Sequence, residues 1–363
     1  MQLNHNQGNA HVAIVGAGLS GLLLGHLLNK NNIHCTVFEA AAHIGGRIQT
    51  IRGPGGVPLE FGATWFSDAH PRLKYLLNEL GLSSFPQHTE GLSLFHAKAF
   101  VPPQQFYIPQ ADAPSYRITG GTSKLITTLA SLLPQGSILT GKPITAIADD
   151  GQKITLTSAQ GENYNVSAVA ICLPPKLAEK SISFSPELPS DVKATMGSVH
   201  TWMAGSTKFV VEYPTPFWRE KGYSGVLYAH TGLVNEMYDQ SDAQVQRFGL
   251  AGFLSPNATK YSRGQRRELV LEQLAAYFGE EAKAAMYYND KIWTGDFVTP
   301  DGPPSERPHQ NNGHPHLRAA YMDQKLYFSG SETSTSHPGY LEGAVTAAET
   351  TARNITERLL RLT

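Results

Sequence analysis

Apolar positions along the chain follow two periods. His11–Val15 is a β-branched run that enters Gly16-Ala17-Gly18-Leu19-Ser20-Gly21, after which Leu22, Leu23, Leu24, Leu27 and Leu28 recur at helical spacing. The order predicts a strand, a tight turn and a helix. A second strand over 33–38 ends at Glu39, eighteen positions beyond Gly21, which completes a βαβ unit. Near the other end, Leu341, Val345, Ala348, Ala352, Ile355 and Leu359 recur at steps of four and three. They predict an amphipathic helix whose first turn lies at Tyr340 and Leu341. Between these elements, Phe209, Val211 and Tyr213 alternate with Lys208, Val210 and Glu212, a strand pattern that by itself puts Lys208 and Glu212 on a solvated face.

The glycine turn has a mechanical reading. Gly16 permits the turn, Gly18 lets backbone approach a pyrophosphate, and Gly21 lets helix and strand pack closely. The helix start adds unpaired N–H groups and partial positive charge. Glu39 is placed to accept a ribose hydroxyl and to repel a 2′-phosphate. These features fit NAD and FAD equally. The next segment, Ala40-Ala41-Ala42-His43-Ile44-Gly45-Gly46-Arg47, exposes more glycine backbone and adds a guanidinium fork suited to phosphate.

Composition narrows the function classes. The 363 residues suggest two domains, and 29 basic against 30 acidic side chains give a formal charge of -1, which disfavours nucleic acid and anionic membranes as partners. Hydrophobic residues at 41% and charged residues at 16% exclude a chain disordered by its charge. Cys35 and Cys172 are too few for a disulfide framework or a thiolate metal site. The polar start MQLNHNQGNA lacks a secretory pattern, and no apolar run approaches the roughly 20 residues of a membrane span, so a cytoplasmic location is expected. His309, His314 and His316 fall in a Pro/Asn-rich loop that reads as solvated, and no metal site is expected.

Further motifs follow in order: Leu59-Glu60-Phe61-Gly62-Ala63-Thr64-Trp65-Phe66, Tyr116-Arg117-Ile118-Thr119-Gly120-Gly121, AVAICLPP from Ala168, Gly205-Ser206-Thr207-Lys208-Phe209-Val210-Val211-Glu212-Tyr213 with Pro216-Phe217-Trp218-Arg219, LYFSGSET from Leu326, and His337-Pro338-Gly339-Tyr340-Leu341-Glu342-Gly343-Ala344. With them the chain resembles the flavin-containing amine oxidase family, which includes the monoamine oxidases and is similar to glutathione-reductase-type flavoproteins.

The resemblance implies an α/β fold, with a glutathione-reductase-type Rossmann FAD-binding domain from residues 1–83, 116–197 and 296–363. A smaller α+β substrate domain is expected from 84–115 and 198–295. It implies that Gly16, Gly18, Gly21, Glu39, Gly46, Arg47, Gly62, Ala63, Glu332, Tyr340 and Leu341 hold FAD. Lys208 takes the position of the lysine that holds a water beside flavin N5, and Tyr340 that of one aromatic wall at the substrate amine. The start of the final helix would face the pyrimidine edge of the flavin. The expected substrates are a small amine and O2.

The sequence departs from the family between Trp293 and Pro304, where neither the second wall tyrosine nor the attachment cysteine is found. Non-covalent FAD is therefore expected, with Trp65 or Trp293 as replacement walls. The interval from Phe66 to Gly120 is short and proline-rich, which implies a reduced lid. Two other functions stand beside amine oxidation: an FAD-dependent desaturase or dehydrogenase of a C–C bond or dihydro-ring, and a flavin-binding partner protein without turnover. The oligomeric state is left open.

Overall fold

The computed structural model describes residues 10–109, 114–293 and 308–361. Its first sheet has five parallel strands in the order Leu326–Phe328, Ala168–Ile171, His11–Val15, His34–Phe38, Ile138–Leu139. Strand alternation sends its side chains into two cores. Val12, Ile14, Val37, Ala168 and Ala170 pack against the Leu19–Lys30, Ser123–Ser131 and Leu341–Arg361 helices. Ala13, Val15, Phe38, Val169 and Ile171 pack with Ile144, Ile147, Ile154 and Leu156 of a four-stranded sheet on the other face. A strand buried on both faces reads as a continuous apolar run, as His11–Val15 does. The Gly16 turn thus leaves the C-terminal edge of a central strand, where dinucleotides bind in such sheets.

The second large sheet has seven strands in the order Tyr287–Ile292, Thr207–Tyr213, Phe248–Leu254, Val234–Asp239, Tyr223–Ala229, Leu92–His96, Gln104–Tyr107. One face packs Phe209, Val211 and Leu250 against Val270 and Leu274 of the Arg263–Phe278 helix. The other carries Val210 and Ala251 against Val57, Leu59 and Phe61.

That second contact overturns the solvated face expected for Lys208 and Glu212, both of which are 1% exposed. The segment from Gly53 to Thr64 covers them. Glu212 accepts hydrogen bonds from the N–H of Gly55 at 3.1 Å and of Val57 at 3.0 Å, so its buried charge is satisfied by backbone. The final helix follows its pattern, with Leu341, Val345, Ala348, Ala352 and Ile355 buried. Among the described residues no helix is long and apolar enough to cross a membrane.

Candidate active site

The glycine turn makes a cradle for a phosphate-bearing ligand. Gly16 has φ +107°, a conformation side-chain-bearing residues rarely adopt. A Cβ on Gly21 would lie 2.0 Å from the Gly16 carbonyl oxygen, so the helix sits on the turn at a spacing only glycine allows. No side chain caps the Leu19–Lys30 helix, and its first-turn N–H groups remain available to an anion. Gly18 bridges to Gly45, whose N–H donates to the Ala17 carbonyl at 2.9 Å. Glu39 closes the floor, accepting from the N–H of Ala17 at 2.8 Å and of Ala41 at 2.9 Å. Bare backbone, a helix start and a carboxylate at the strand end fit the pyrophosphate and ribose of a dinucleotide such as FAD.

Arg47 is not a free phosphate fork. Its guanidinium pairs with Glu332 through Nη1–Oε1 at 2.6 Å and Nη2–Oε2 at 3.0 Å. The Arg47 carbonyl accepts from the Ala63 N–H at 3.0 Å, and a Cβ on Gly62 would lie 2.2 Å from that carbonyl oxygen. Gly62, Ala63, Arg47 and Glu332 therefore meet in one place, Gly46 precedes Arg47 directly, and the fork reaches any ligand only beside its carboxylate partner. The Ser331 hydroxyl donates to the Tyr340 carbonyl at 2.8 Å and ties this cluster to the final helix. The Leu341 side chain belongs to the core, so its contribution to a ligand is a first-turn backbone N–H.

Lys208 lies beside the same turn. Its ammonium donates to the Gly62 carbonyl at 2.8 Å and to the Thr64 hydroxyl at 3.3 Å. It lies 5.2 Å from the Trp65 ring centroid and 5.1 Å from that of Phe253. Burial lowers its pKa to about 8, against the opposing fields of Glu60 and Glu236. Among the described residues it forms no ion pair.

The Trp65 indole N–H donates to Gln87 at 2.8 Å, and its ring packs on Tyr238 at 4.8 Å. Trp293 is 5% exposed, donates to the Phe61 carbonyl at 2.9 Å, and serves the core. The rings stacked on Tyr340 are Trp202 at 5.9 Å and His309 at 5.8 Å, with interplanar angles of 27° and 15°. Trp202 and His309 stack on each other at 4.9 Å and 14°. His309, read from its loop as solvated, is thus part of a near-parallel aromatic group. The Pro/Asn-rich composition around it gave no sign of this stacking, and most of the segment from Trp293 to Pro304, where the second wall was sought, lies outside the described residues.

Residues 91–356 match the family described as flavin containing amine oxidoreductase, and residues 14–80 match the NAD(P)-binding Rossmann-like domain. The chain is 22% identical to a probable flavin-containing monoamine oxidase A of Dictyostelium discoideum, across 96% of this chain and 98% of that one. It is 23% identical to an L-amino acid dehydrogenase of Synechocystis sp., across 94% of each chain. Among solved structures, cyclohexylamine oxidase from Brevibacterium oxydans superimposes with a TM-score of 0.84 at 21% identity, covering 97% of this chain and 99% of that one. Putrescine oxidase bound to putrescine gives 0.81 at 21% identity, covering 96% and 99%. At these identities the superpositions show a shared fold.

Proposed function

The chain belongs to the flavin-containing amine oxidoreductase family, and from that premise we propose that it oxidises a small amine with O2 as electron acceptor, using FAD held without a covalent bond. When bound, FAD would supply two-electron redox chemistry, by which loss of hydride from the carbon bearing a neutral amine would leave an imine that water hydrolyses, and O2 would take up the two electrons as H2O2.

The chain's own residues set the stage for this. Gly16, Gly18, Gly21 and Gly46 let backbone approach the cofactor phosphates, and Glu39 accepts from its ribose. Arg47, Gly62, Ala63, Glu332 and Leu341 line its path. Tyr340, stacked with Trp202 and His309, walls the amine, and Trp65 stands on the side of Lys208. Lys208 supplies a fixed positive charge and a proton donor. The division into a dinucleotide-binding domain, 1–83, 116–197 and 296–363, and a substrate domain, 84–115 and 198–295, is part of the proposal. It is supported by the strands of the five-stranded sheet falling in the first set and those of the seven-stranded sheet in the second.

One observation carries the reading. Lys208 is a buried ammonium held by one carbonyl and one hydroxyl, without an ion pair among the described residues. Such a group costs stability, and its purpose lies in what it does to a neighbour. The test is anaerobic bleaching of the bound flavin by amines, followed by admission of air. Wild type should bleach and recover, and Lys208→Met should recover roughly a hundredfold more slowly, the loss of one preorganised charge, with a smaller effect on bleaching. Equal recovery would remove Lys208 from the oxygen step. Absence of bleaching by any amine would remove the amine substrate. The dehydrogenase relative favours a second reading, in which flavin bleached by an amine stays bleached in air and passes its electrons to another acceptor.

A further inference from the structure

Two buried charges of opposite sign meet at the segment after the Pro58–Glu60 strand without touching. Glu60 is 2% exposed. It stands two positions before Gly62, whose carbonyl accepts from the Lys208 ammonium at 2.8 Å. Among the described residues neither side chain forms an ion pair.

The neighbours of each side chain suit its ionised form. Glu60 meets donors: the Thr122 N–H at 2.7 Å, and the Thr50 hydroxyl at 3.1 and 2.9 Å from its two oxygens. Thr50 Oγ1 accepts from the Ser123 N–H at 2.9 Å, which leaves the hydroxyl hydrogen for the carboxylate. Lys208 meets acceptors, the Gly62 carbonyl and the oxygen of Thr64, whose own hydrogen goes to the Gly62 carbonyl at 3.1 Å. An ammonium has three donors, and these two contacts use two of them. A contact ion pair would instead turn a donor and much of the charge onto the carboxylate.

The other charges around the pair are held elsewhere. Buried Arg117 donates to the carbonyls of Ser241 at 3.0 Å and Gln240 at 3.2 Å. Lys291, paired with Lys208 across the strands, turns to Gln49 at 2.9 Å and lies over the Trp293 ring. Arg52 donates to the carbonyls of Gly56 and Gly120, and Glu212 accepts from Gly55 and Val57. Burial dominates both titrations, lowering the pKa of Lys208 and raising that of Glu60. Against it, Glu60 exerts a larger field on Lys208 than Glu236 does, and Lys208 a larger one on Glu60 than Arg117 does.

We propose that Glu60 is a positioning residue, the countercharge that keeps Lys208 protonated from a distance and leaves one of its donors for the oxygen step; this rests on the reading of Lys208 above. Separation is the working feature, because the carboxylate supports the charge without occupying it.

The experiment follows reoxidation of the reduced, flavin-loaded enzyme by O2 from roughly pH 5 to pH 10. Wild type should slow as pH rises through the Lys208 titration. In Glu60→Gln that limb should move about 1–2 pH units lower, the scale of one neighbouring opposite charge. The rate should then fall roughly 5- to 50-fold near pH 8 and at most about twofold near pH 6. Glu60→Asp keeps the charge and should keep the limb within about half a unit. A packing role would slow both variants alike at every pH.

Lys208 is also titrated directly in the oxidised, flavin-loaded enzyme by NMR of 13Cε-labelled lysine, its signal assigned by loss in Lys208→Met. Its midpoint should fall by the same interval in Glu60→Gln. Should that variant not fold, reciprocity supplies the test: in Lys208→Met the infrared band of a protonated buried carboxyl should appear about 1–2 pH units higher than in wild type. A Lys208 midpoint unmoved by Glu60→Gln, or a carboxyl band unmoved by Lys208→Met, would overturn the proposal. A midpoint that moves while reoxidation ignores Lys208 would sustain the countercharge and refute the oxygen role. Reoxidation that needs Lys208 but ignores Glu60 at every pH would do the reverse.

Discussion

Arg47 and Glu332 stand 285 positions apart in the chain and meet through two parallel hydrogen bonds of 2.6 and 3.0 Å. The Glu332 side chain is fully buried and the Arg47 side chain is 26% exposed, so the pair sits at the edge of the cradle with its carboxylate end inside. Arg47→Ala should destabilise the fold by about 3–5 kcal/mol, because it leaves the carboxylate buried and unpaired. Denaturant titration of the flavin-free proteins checks this. Adding Glu332→Gln to the Arg47 variant should recover part of the loss, and a double variant no more stable than Arg47→Ala would contradict the pairing argument.

Lys208 gives a pH signature that does not depend on turnover. Its folded-state pKa is lowered to about 8 from 10.5. Between these values the unfolded chain binds the additional proton, so the lysine's contribution to stability rises with pH, is fully present above the unfolded value, and is lost as pH falls through the folded one. Relative to Lys208→Met, flavin-free wild type should gain about 2–3 kcal/mol between roughly pH 7 and pH 10. A difference that stays flat across that interval would mean that water reaches the ammonium in solution.

The stacked group at the final helix predicts an order among variants. Tyr340→Phe and His309→Phe keep a ring face and should retain most amine-dependent flavin reduction at matched flavin occupancy. Tyr340→Ala and His309→Ala should lower it roughly 3- to 10-fold, the scale of one aromatic contact. Equal rates for His309→Ala and wild type would leave Tyr340 as a wall without that partner.

Acid precipitation should leave intact FAD in the supernatant. Burial pushes the Cys35 thiol up to about 11 and the Cys172 thiol up to about 12, so both are protonated and poorly nucleophilic at neutral pH. Flavin recovered with a peptide in the pellet would identify a covalent link.

Features generated by neighbouring residues were legible from sequence. The strand, turn and helix at Gly16 to Gly21 rest on local spacing, as does the apolar stripe from Leu341 to Ile355, and both stand as read. Features produced by distant coverage were not. Alternation could not show that the segment from Gly53 to Thr64 lies over Lys208 and Glu212, because these two charged positions break the continuous apolar run that marks a strand buried on both faces. Arg47 carried its phosphate-binding geometry plainly, but its carboxylate partner comes from the far side of the chain. His309 sat among prolines and asparagines, whose composition describes a loop and is silent on which ring that loop meets.

The edge strand Leu326–Phe328 and the Arg47–Glu332 pair also set a timetable for biosynthesis. On a ribosome adding about 5–20 residues each second, Arg47 waits roughly 15–60 s for Glu332 to be made. During that interval the nascent glycine turn has its first strand and helix but lacks the final helix, which packs on the Leu19–Lys30 helix in the finished fold. The cradle is therefore complete only once nearly all of this sequence has been translated.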